Sequence, residues 1–216
     1  MNGLLVVWAR QGALWDGFLT TLAVAAGATL LAVMLGVMLF ALALRFRAAR
    51  FGVRVLTDGM RCVPFLLFLY LIYYGLPAWG IVLNNLAAGM LALTLYNAAY
   101  FAELLRGAWA QLPPEQIEAG VSFGFHGVTL LRRVILPPLV FAAIPALGNQ
   151  VIQIIKDSAF LVIITVRELT YAANEIQSTF YVPLASFVCA ALLYWVLCLG
   201  VETGVRAMLR RAELAR

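Results

Sequence analysis

Long apolar stretches separated by short charged segments make up most of the sequence. Residues 18–44 carry no charged side chain, and residues 62–102 form a second uncharged run of 41 residues. A helix crosses the hydrocarbon core of a bilayer with about 20 apolar residues, so the first run predicts one span and the second predicts two. We predict five transmembrane helices in a single all-α polytopic domain, residues 1–216, with spans near residues 18–44, 62–79, 84–105, 134–155 and 180–201.

The basic residues lie mainly on one side of these predicted spans. Segments 45–61, 106–133 and 206–216 hold 12 of the 15 Lys and Arg residues. Basic residues concentrate in cytoplasmic loops, so the N-terminus is predicted outside and the C-terminus in the cytoplasm. The first residues show neither a basic region nor a small-residue cleavage site before Arg10, and we expect no cleavable signal peptide.

The composition supports a membrane protein and excludes several other classes. Hydrophobic residues make up 64% of the chain and charged residues 12%, with a mean hydropathy of +0.97. Soluble domains carry about 45–50% apolar and about 25% charged residues, so a soluble enzyme, a disordered chain and a disulfide scaffold are excluded. Three cysteines without C-x-x-C spacing and a single histidine, His126, predict no metal site. The arginines that give the net charge of +5 lie in short clusters or at the ends of apolar runs, so we expect no nucleic-acid partner.

Residues 156–179 do not fit the pattern of spans. Their apolar octet, residues 159–166, is too short to cross a membrane. We predict a re-entrant or protein-buried segment on the outer side, with Arg167, Glu168 and Glu175 near water.

The longest cytoplasmic segment, residues 107–133, is predicted to contain a short amphipathic helix. Pro113 and Pro114 stop the preceding helix and can begin a new one. Ile117, Val121 and Phe125 recur every four residues and form an apolar edge. Such a helix fits the groove of a partner protein, but it would equally lie on lipid headgroups, and the pattern alone does not choose between these interpretations.

The same segment resembles the EAA loop of permeases from ATP-binding cassette (ABC) importers. The family pattern is E-A-A-x3-G-x9-I-x-L-P, and the chain has Glu118-Ala119-Gly120, then Gly124, then residues 134–137 (VILP) at the same spacing. Gly120 stands where the family has its second alanine, and Val134 replaces the isoleucine. Both replacements are conservative in size, so we expect docking to survive, with a looser helix at Gly120.

Four further blocks resemble the subfamily that carries polar amino acids. Residues 61–66 (RCVPFL) resemble R-G-T-P-L-L, and residues 100–107 (YFAELLRG) resemble A-Y-x-A-E-x-x-R-G. Residues 114–119 (PEQIEA) resemble P-x-G-Q-x-E-A-A, with Glu115 where glycine is usual, and residues 156–160 (KDSAF) resemble K-D-T-S-L. Each block is weak alone, but their common order supports the resemblance.

This resemblance implies a type I importer permease that has no catalytic activity and binds no cofactor of its own. It implies partners: two copies of an ABC ATPase that bind ATP, a second permease subunit (identical or related) and an extracytoplasmic amino-acid-binding protein, at a bacterial cytoplasmic membrane. It also implies that the loop couples to the ATPase through Glu115, Ile117, Glu118, Ala119, Gly120, Val121, Gly124 and Phe125.

Polar residues at membrane depth mark the predicted substrate path. Asn149 lies roughly 18 Å along its span from Pro137, near the midplane, by the rise of an α-helix. Asn149, Gln153 and Lys156 share one helical face, and Asn97 lies near the middle of the third span. These groups either line a path or form hydrogen bonds that hold the helices together.

Acidic residues at the ends of the spans leave alternatives open. Asp157 and Ser158 are also assigned to the predicted path. Asp157 would either contact the ammonium group of a polar amino acid, with a basic one favoured, or pair with Lys156 or Arg167. Glu103 and Arg106, three residues apart, predict an interfacial ion pair or a gate, and Lys156 is grouped with them as a further candidate for that role.

Two other functions remain to be weighed, a serine hydrolase and a secondary transporter. Residues 120–124 match the G-x-S-x-G nucleophile elbow, but the pattern places Ser122 in a helix with His126 as its sole available base. No G-x-x-x-x-G-K-[ST] loop is present, so the chain is not expected to bind ATP itself. The alternative to an ABC permease is a self-sufficient secondary transporter or channel for a small polar solute, although no inverted repeat is visible.

Overall fold

The computed structural model describes residues 3–214, and this range is nearly all helical and contains no strand. Short π- and 3-10 turns at 71–79, 131–135 and 158–164 continue or join these helices. The α-helices are α1 (Gly3–Ala9), α2 (Gln11–Arg45), α3 (Arg47–Cys62), α4 (Phe65–Tyr70), α5 (Asn85–Ala110), α6 (Pro114–Ser122), α7 (Gly127–Leu130), α8 (Leu136–Asp157), α9 (Leu169–Phe180) and α10 (Pro183–Leu214).

Four helical segments are long and apolar enough to cross a membrane: Gln11–Arg45, Asn85–Ala110, Gly127–Ile164 and Pro183–Arg211. A fifth crossing follows if Arg47–Cys62 and Phe65–Trp79, whose axes differ by 106°, are counted as one broken span. The prediction of an all-α polytopic membrane fold is confirmed, and the five predicted spans are reached when that bent pair is counted as one crossing. The sidedness of the N- and C-termini stays a prediction. Arg216, one of the basic residues used for it, lies outside the described residues.

The sequence pattern did not anticipate α3, because its segment was treated as a basic loop between spans. The helix ends where Val63 and Pro64 adopt extended backbone. A residue before proline is disfavoured in helical conformation, so the next apolar helix begins at Phe65 and not at Cys62.

Small residues allow α2 and α5 to pack closely along their length. Ala28 and Ala32 of α2, and Ala92 of α5, are fully buried in the central core. A Cβ atom at Gly36 would lie 2.6 Å from the Cβ atom of Phe101, so only glycine permits this approach. Small residues at helix contacts are the usual means of packing in a bilayer, where water does not drive association.

One end of the bundle is joined around Glu168, and the expectation that this residue lies near water is wrong. Its side chain is fully buried, whereas Arg167 and Glu175 are exposed as expected. The carboxylate caps α9 by accepting hydrogen bonds from the backbone N–H groups of Thr170 (2.9 Å) and Tyr171 (2.8 Å). A buried carboxylate is tolerated when such donors replace its hydration.

Side chains from two other helices complete this cluster. The hydroxyl of Tyr194 in α10 donates to Glu168, and Thr21 of α2 accepts a 3.1 Å hydrogen bond from the backbone of Leu169. The preceding segment, residues 158–166, buries Leu161 and Ile164 in the core. One face of residues 158–166 is thus packed into the protein core, although Phe160 and Ile163 stay exposed, and this favours the protein-buried alternative that the sequence left open.

Candidate functional site: a polar cavity and the helix of the EAA-like segment

A cavity of about 600 Å³ opens between α8, α5 and the start of α4. One wall is polar and comes from α8, and the facing walls are aromatic and apolar. Its lining residues are Asn149, Gln150, Gln153 and Asp157 of α8, Tyr96 and Tyr100 of α5, and Pro64, Phe65, Leu66 and Phe160.

The polar wall follows from helical spacing. Residues 149, 153 and 157 are four apart and lie above one another on the same face of α8. Asn149 and Gln153 are exposed to the cavity, and Asp157 is 5% exposed. The Gln153 side-chain amide donates a 2.8 Å hydrogen bond to the Asp157 carboxylate. In the described part of the chain, no cation lies within ion-pair distance of Asp157; Lys156 is exposed and does not line the cavity.

The aromatic wall was not identified from the sequence. Tyr96 donates a 2.9 Å hydrogen bond to the Val63 carbonyl, and its hydroxyl lies 3.3 Å from that of Tyr100. The Phe65 ring contacts Tyr96 edge-on at 5.3 Å between centroids. The four-residue spacing of Tyr96 and Tyr100 was a visible signal, but apolar spans contain many aromatic residues that serve only packing.

Two residues of the predicted path lie behind the cavity wall. Asn97 is fully buried. Its side-chain amide donates a 2.8 Å hydrogen bond to the Leu93 carbonyl and accepts a 2.7 Å hydrogen bond from the side chain of Gln150. Ser158 is also buried and donates 2.7 Å to the Ile155 carbonyl. The bond between Asn97 and Gln150 joins α5 to α8, so Asn97 orients the Gln150 amide that lines the cavity and does not itself reach the space.

The cavity can therefore bind a small polar molecule that carries a positive group. Its amides both donate and accept hydrogen bonds, and the Asp157 carboxylate accepts only when ionised. The two tyrosine faces can contact a cation or an apolar stem. A carboxylate without a protein cation beside it attracts an ammonium or guanidinium group.

Glu103 forms the centre of an ion-pair cluster in the C-terminal part of α5. The Arg106 Nε atom donates a 2.7 Å hydrogen bond to Glu103, and an Arg61 nitrogen lies 3.5 Å from the same carboxylate. Because Arg61 belongs to α3, the cluster joins α3 to α5. Lys156, which was grouped with this pair, takes no part in it.

Helix α6, in the segment with the EAA-like pattern, ends in a glycine-dependent turn. Gly124 has φ of +84°, a left-handed conformation that glycine adopts without strain. The Phe125 N–H donates to the Gly120 carbonyl at 3.0 Å, and the Gly124 N–H donates to the Val121 carbonyl at 2.9 Å. These two bonds define a Schellman motif, which explains why this position of the loop pattern requires glycine.

Gly120, one of the two departures from the family pattern, is where α6 packs against the following segment. A Cβ atom there would lie 2.8 Å from Leu130 and 3.1 Å from Val134, the second departure. The two changes thus meet at one contact. Because Gly120 lacks the methyl group of alanine, α6 can pack directly against the turn that leads into α8.

The remaining surface of α6 is open to solvent. Glu115, Glu118, Ala119 and Val121 are exposed, and Ile117 and Phe125 are half-buried. Phe123, which the sequence analysis did not single out, is 83% exposed. The Ser122 hydroxyl donates to the Glu118 carbonyl at 3.0 Å, as helical serines do, so the G-x-S-x-G pattern is no nucleophile elbow.

Comparison with known proteins identifies the family. Residues 28–213 match the model of the binding-protein-dependent transport system inner membrane component, and the chain belongs to this family. The probable glutamine ABC transporter permease protein GlnM of Bacillus subtilis (strain 168) is 32% identical over 202 residues, 92% of each chain. The octopine transport system permease protein OccM of Rhizobium meliloti is 32% identical over 198 residues, 84% of this chain and 81% of the relative.

A solved structure shows the same fold. A chain of an amino acid ABC transporter crystallised with histidines superposes with a TM-score of 0.89 at 28% identity, covering 96% of this chain and 98% of that one. The protein is therefore a membrane permease subunit of the type I ABC importer fold and not an enzyme.

Proposed function

We propose that this chain is the subunit of an amino acid ABC importer that forms the path for a polar amino acid. The observation that carries the proposal is the row of Asn149, Gln153 and Asp157 on the wall of a 600 Å³ cavity at membrane depth. Polar groups at this depth are costly, so their concentration on a cavity wall supports a role in passage. The names of GlnM and OccM, which point to glutamine and octopine, support an amino-acid cargo.

The charge of the cavity favours a cargo with a positive side chain. Asp157 is the one acidic residue among the lining residues, and no basic residue lines the cavity with it. An ammonium or guanidinium group would supply the cation that the carboxylate lacks, while the amides of Asn149 and Gln153 bind the polar remainder.

We further infer that α6 transmits the motion of a separate ATPase into the membrane domain. Phe123 and Val121 form an exposed apolar patch beside Glu118, suited to insertion into a groove. The contact of Gly120 with Leu130 and Val134 provides a mechanical link, because a push on α6 is passed to the turn that begins α8, whose far end lines the cavity.

The proposal includes the partners and the site of action. Two ATPase subunits bind and hydrolyse the ATP, and this chain binds no cofactor. A second permease, identical or related, completes the path, and an extracytoplasmic amino-acid-binding protein delivers the cargo. The complex operates in a bacterial cytoplasmic membrane.

The test is uptake of labelled amino acids by vesicles that contain the chain with its co-purified ATPase and partner permease. We expect ATP-dependent uptake once the binding protein is added, and uptake of basic amino acids in particular. Vesicles with the chain alone should remain inactive with or without an ion gradient. Ion-driven uptake by the chain alone would instead establish a secondary transporter.

A pair of variants tests the cavity itself. Asn149→Leu removes a polar group from the wall and should lower uptake about ten- to a hundredfold, the effect of one or two lost hydrogen bonds to a polar cargo. The complex should still assemble, as measured by co-purification. Asn149→Gln keeps the amide and serves as the matched control, with most of the uptake retained. Normal uptake by the leucine variant would remove Asn149 from the path.

A further inference from the structure

A second cavity, of about 270 Å³, lies between the C-terminal half of α2, α3 and the C-terminal part of α5. The apolar part of its lining comes from Phe40, Leu44, Val53 and Trp109. The charged part consists of three arginines and a single acid: Arg50, Arg54, Arg106 and Glu103.

The positive charge of this cavity is not neutralised within the protein. The Glu103 carboxylate is already bound by Arg106 and lies 3.5 Å from Arg61. Among the side chains that the structure describes, neither Arg50 nor Arg54 has a carboxylate within ion-pair distance; the Arg50 Nε atom donates to the Ala43 carbonyl, at 3.3 Å. Arg50 and Arg54 therefore line this cavity as exposed cations that are not paired with any described carboxylate.

Helix α3 has the form of a helix that lies at a membrane surface. Its six polar residues fall within about 100° of the helix circumference, by the angular step of an α-helix. The apolar side is open to the surroundings, with Phe51 76% and Val55 56% exposed. The axis of α3 differs by 106° from that of Phe65–Trp79, so α3 lies close to the membrane plane if that apolar segment crosses it.

These features complement each other. The exposed apolar side can enter the boundary between headgroups and acyl chains, as amphipathic interfacial helices do. The polar side, with Arg50 and Arg54, faces the cavity against α5. The positive-inside prediction puts this whole region at the cytoplasmic leaflet, where anionic lipids attract basic segments.

We propose that Arg50 and Arg54 bind the phosphate group of an anionic phospholipid of the cytoplasmic leaflet in this cavity. Arginine suits this role because its planar guanidinium group donates two parallel hydrogen bonds to phosphate oxygens. The apolar residues Phe40, Leu44 and Trp109 border the same space and contact the glycerol and upper acyl region. The site is separate from the 600 Å³ cavity and does not depend on what the protein transports.

The experiment measures lipid retention by native mass spectrometry. The full-length chain, purified with its co-purifying subunits in a mild detergent, is incubated with equal amounts of phosphatidylglycerol and phosphatidylcholine. We expect the wild type to retain phosphatidylglycerol preferentially. Each basic residue near an anionic lipid contributes about a fivefold preference, so the double variant Arg50→Gln/Arg54→Gln should lower the ratio of the two bound lipids about 25-fold.

The matched control removes equal charge elsewhere. Arg210→Gln/Arg211→Gln changes two exposed residues near the end of α10 and should leave the ratio unchanged. An unchanged ratio in the Arg50/Arg54 variant, or an equal fall in the control, would overturn the proposal, since general surface charge would then explain the binding. Repeating the measurement with inorganic phosphate separates the sources, because complete displacement of the lipid by phosphate would mean a free-anion site instead.

A charge-conserving variant keeps the test informative if the glutamine variant does not fold. Arg50→Lys/Arg54→Lys retains the charge but loses the paired donors. We expect an intermediate ratio, below the wild type and above the glutamine variant. A ratio equal to the wild type would contradict binding by the guanidinium groups.

Discussion

The two ends of the helical bundle each carry a glutamate, one buried and one exposed. At the end formed by α9, Glu168 is fully buried and accepts hydrogen bonds from α9 and α10. At the end formed by α6, Glu118 is exposed, and its side chain forms no hydrogen bond or ion pair within the described residues. The first glutamate is satisfied by its own chain, and the second is available to another protein.

This difference separates stability from coupling. A buried carboxylate with several donors contributes to folding, because its removal leaves those donors unsatisfied. An exposed carboxylate contributes little to folding, so its presence beside an exposed apolar patch is better explained by a partner. The predictions below change one end at a time, from the largest expected effect to the smallest.

The largest effect is expected for Glu168→Ala. Three partly buried donors, the N–H groups of Thr170 and Tyr171 and the Tyr194 hydroxyl, would lose the Glu168 acceptor at about 1 kcal/mol each. The free energy of unfolding should fall by about 3 kcal/mol, measured as a lower midpoint of thermal unfolding in detergent. Glu175→Ala, an exposed glutamate on the same helix, is the control and should change little; equal effects of the two variants would contradict the buried cluster.

At the other end, Glu118→Lys should affect binding and leave stability nearly unchanged. Reversing a charge at a protein interface costs about 2 kcal/mol or more when the group is buried by the partner. ATPase retention on co-purification should fall more than about tenfold, while the chain remains in the membrane. Glu175→Lys makes the same charge change at the opposite end and should keep the ATPase. Full ATPase retention by the Glu118 variant would count against coupling through α6.

A smaller effect is expected at the C-terminus of α6. Gly124→Ala forces a Cβ atom into a left-handed conformation, at a cost of about 1–2 kcal/mol, so α6 should fray. Amide hydrogen exchange of residues 114–125 should become faster. Gly107→Ala lies in α5 with nothing within 4 Å of its Cβ position and should stabilise the protein by about 0.5–1 kcal/mol. Unchanged exchange in the Gly124 variant would contradict the Schellman motif.

The smallest effect concerns pH and the α9 end. Burial raises the pKa of the Glu168 carboxyl, although hydrogen bonds from Tyr194, Thr170 and Tyr171 oppose the rise. With a folded-state pKa above the unfolded value, this group stabilises most at pH below about 4, and the contribution is lost as pH rises through the folded pKa. Because glutamine does not titrate, the unfolding midpoint of the wild type should fall relative to that of Glu168→Gln as the pH rises. A wild-type midpoint that rises relative to the variant would show that the hydrogen bonds outweigh burial.

The sequence predicted the elements better than the polar contacts within them. Apolar runs predicted the long helices, because the bilayer requires about 20 apolar residues whatever the neighbours are. The six polar residues of α3 fall on one side of a helix, and this spacing was visible in the sequence. A segment with so many polar residues was nevertheless interpreted as a loop. The stripe of Asn149 and Gln153 was predicted and lines the cavity, whereas Asn97 fell behind the wall.

By itself, then, the sequence determined that this chain is a helical membrane protein and that the segment between its third and fourth predicted spans carries the EAA-like pattern. Both follow from local order along the chain, where the apolar content of each segment and the spacing of its residues are sufficient. Only the tertiary structure decided that Glu168 is buried, that Tyr96 faces Asp157 across a cavity, and that Gly120 meets Val134. Burial and hydrogen-bond partners come from residues distant in the sequence, so no local pattern specifies them.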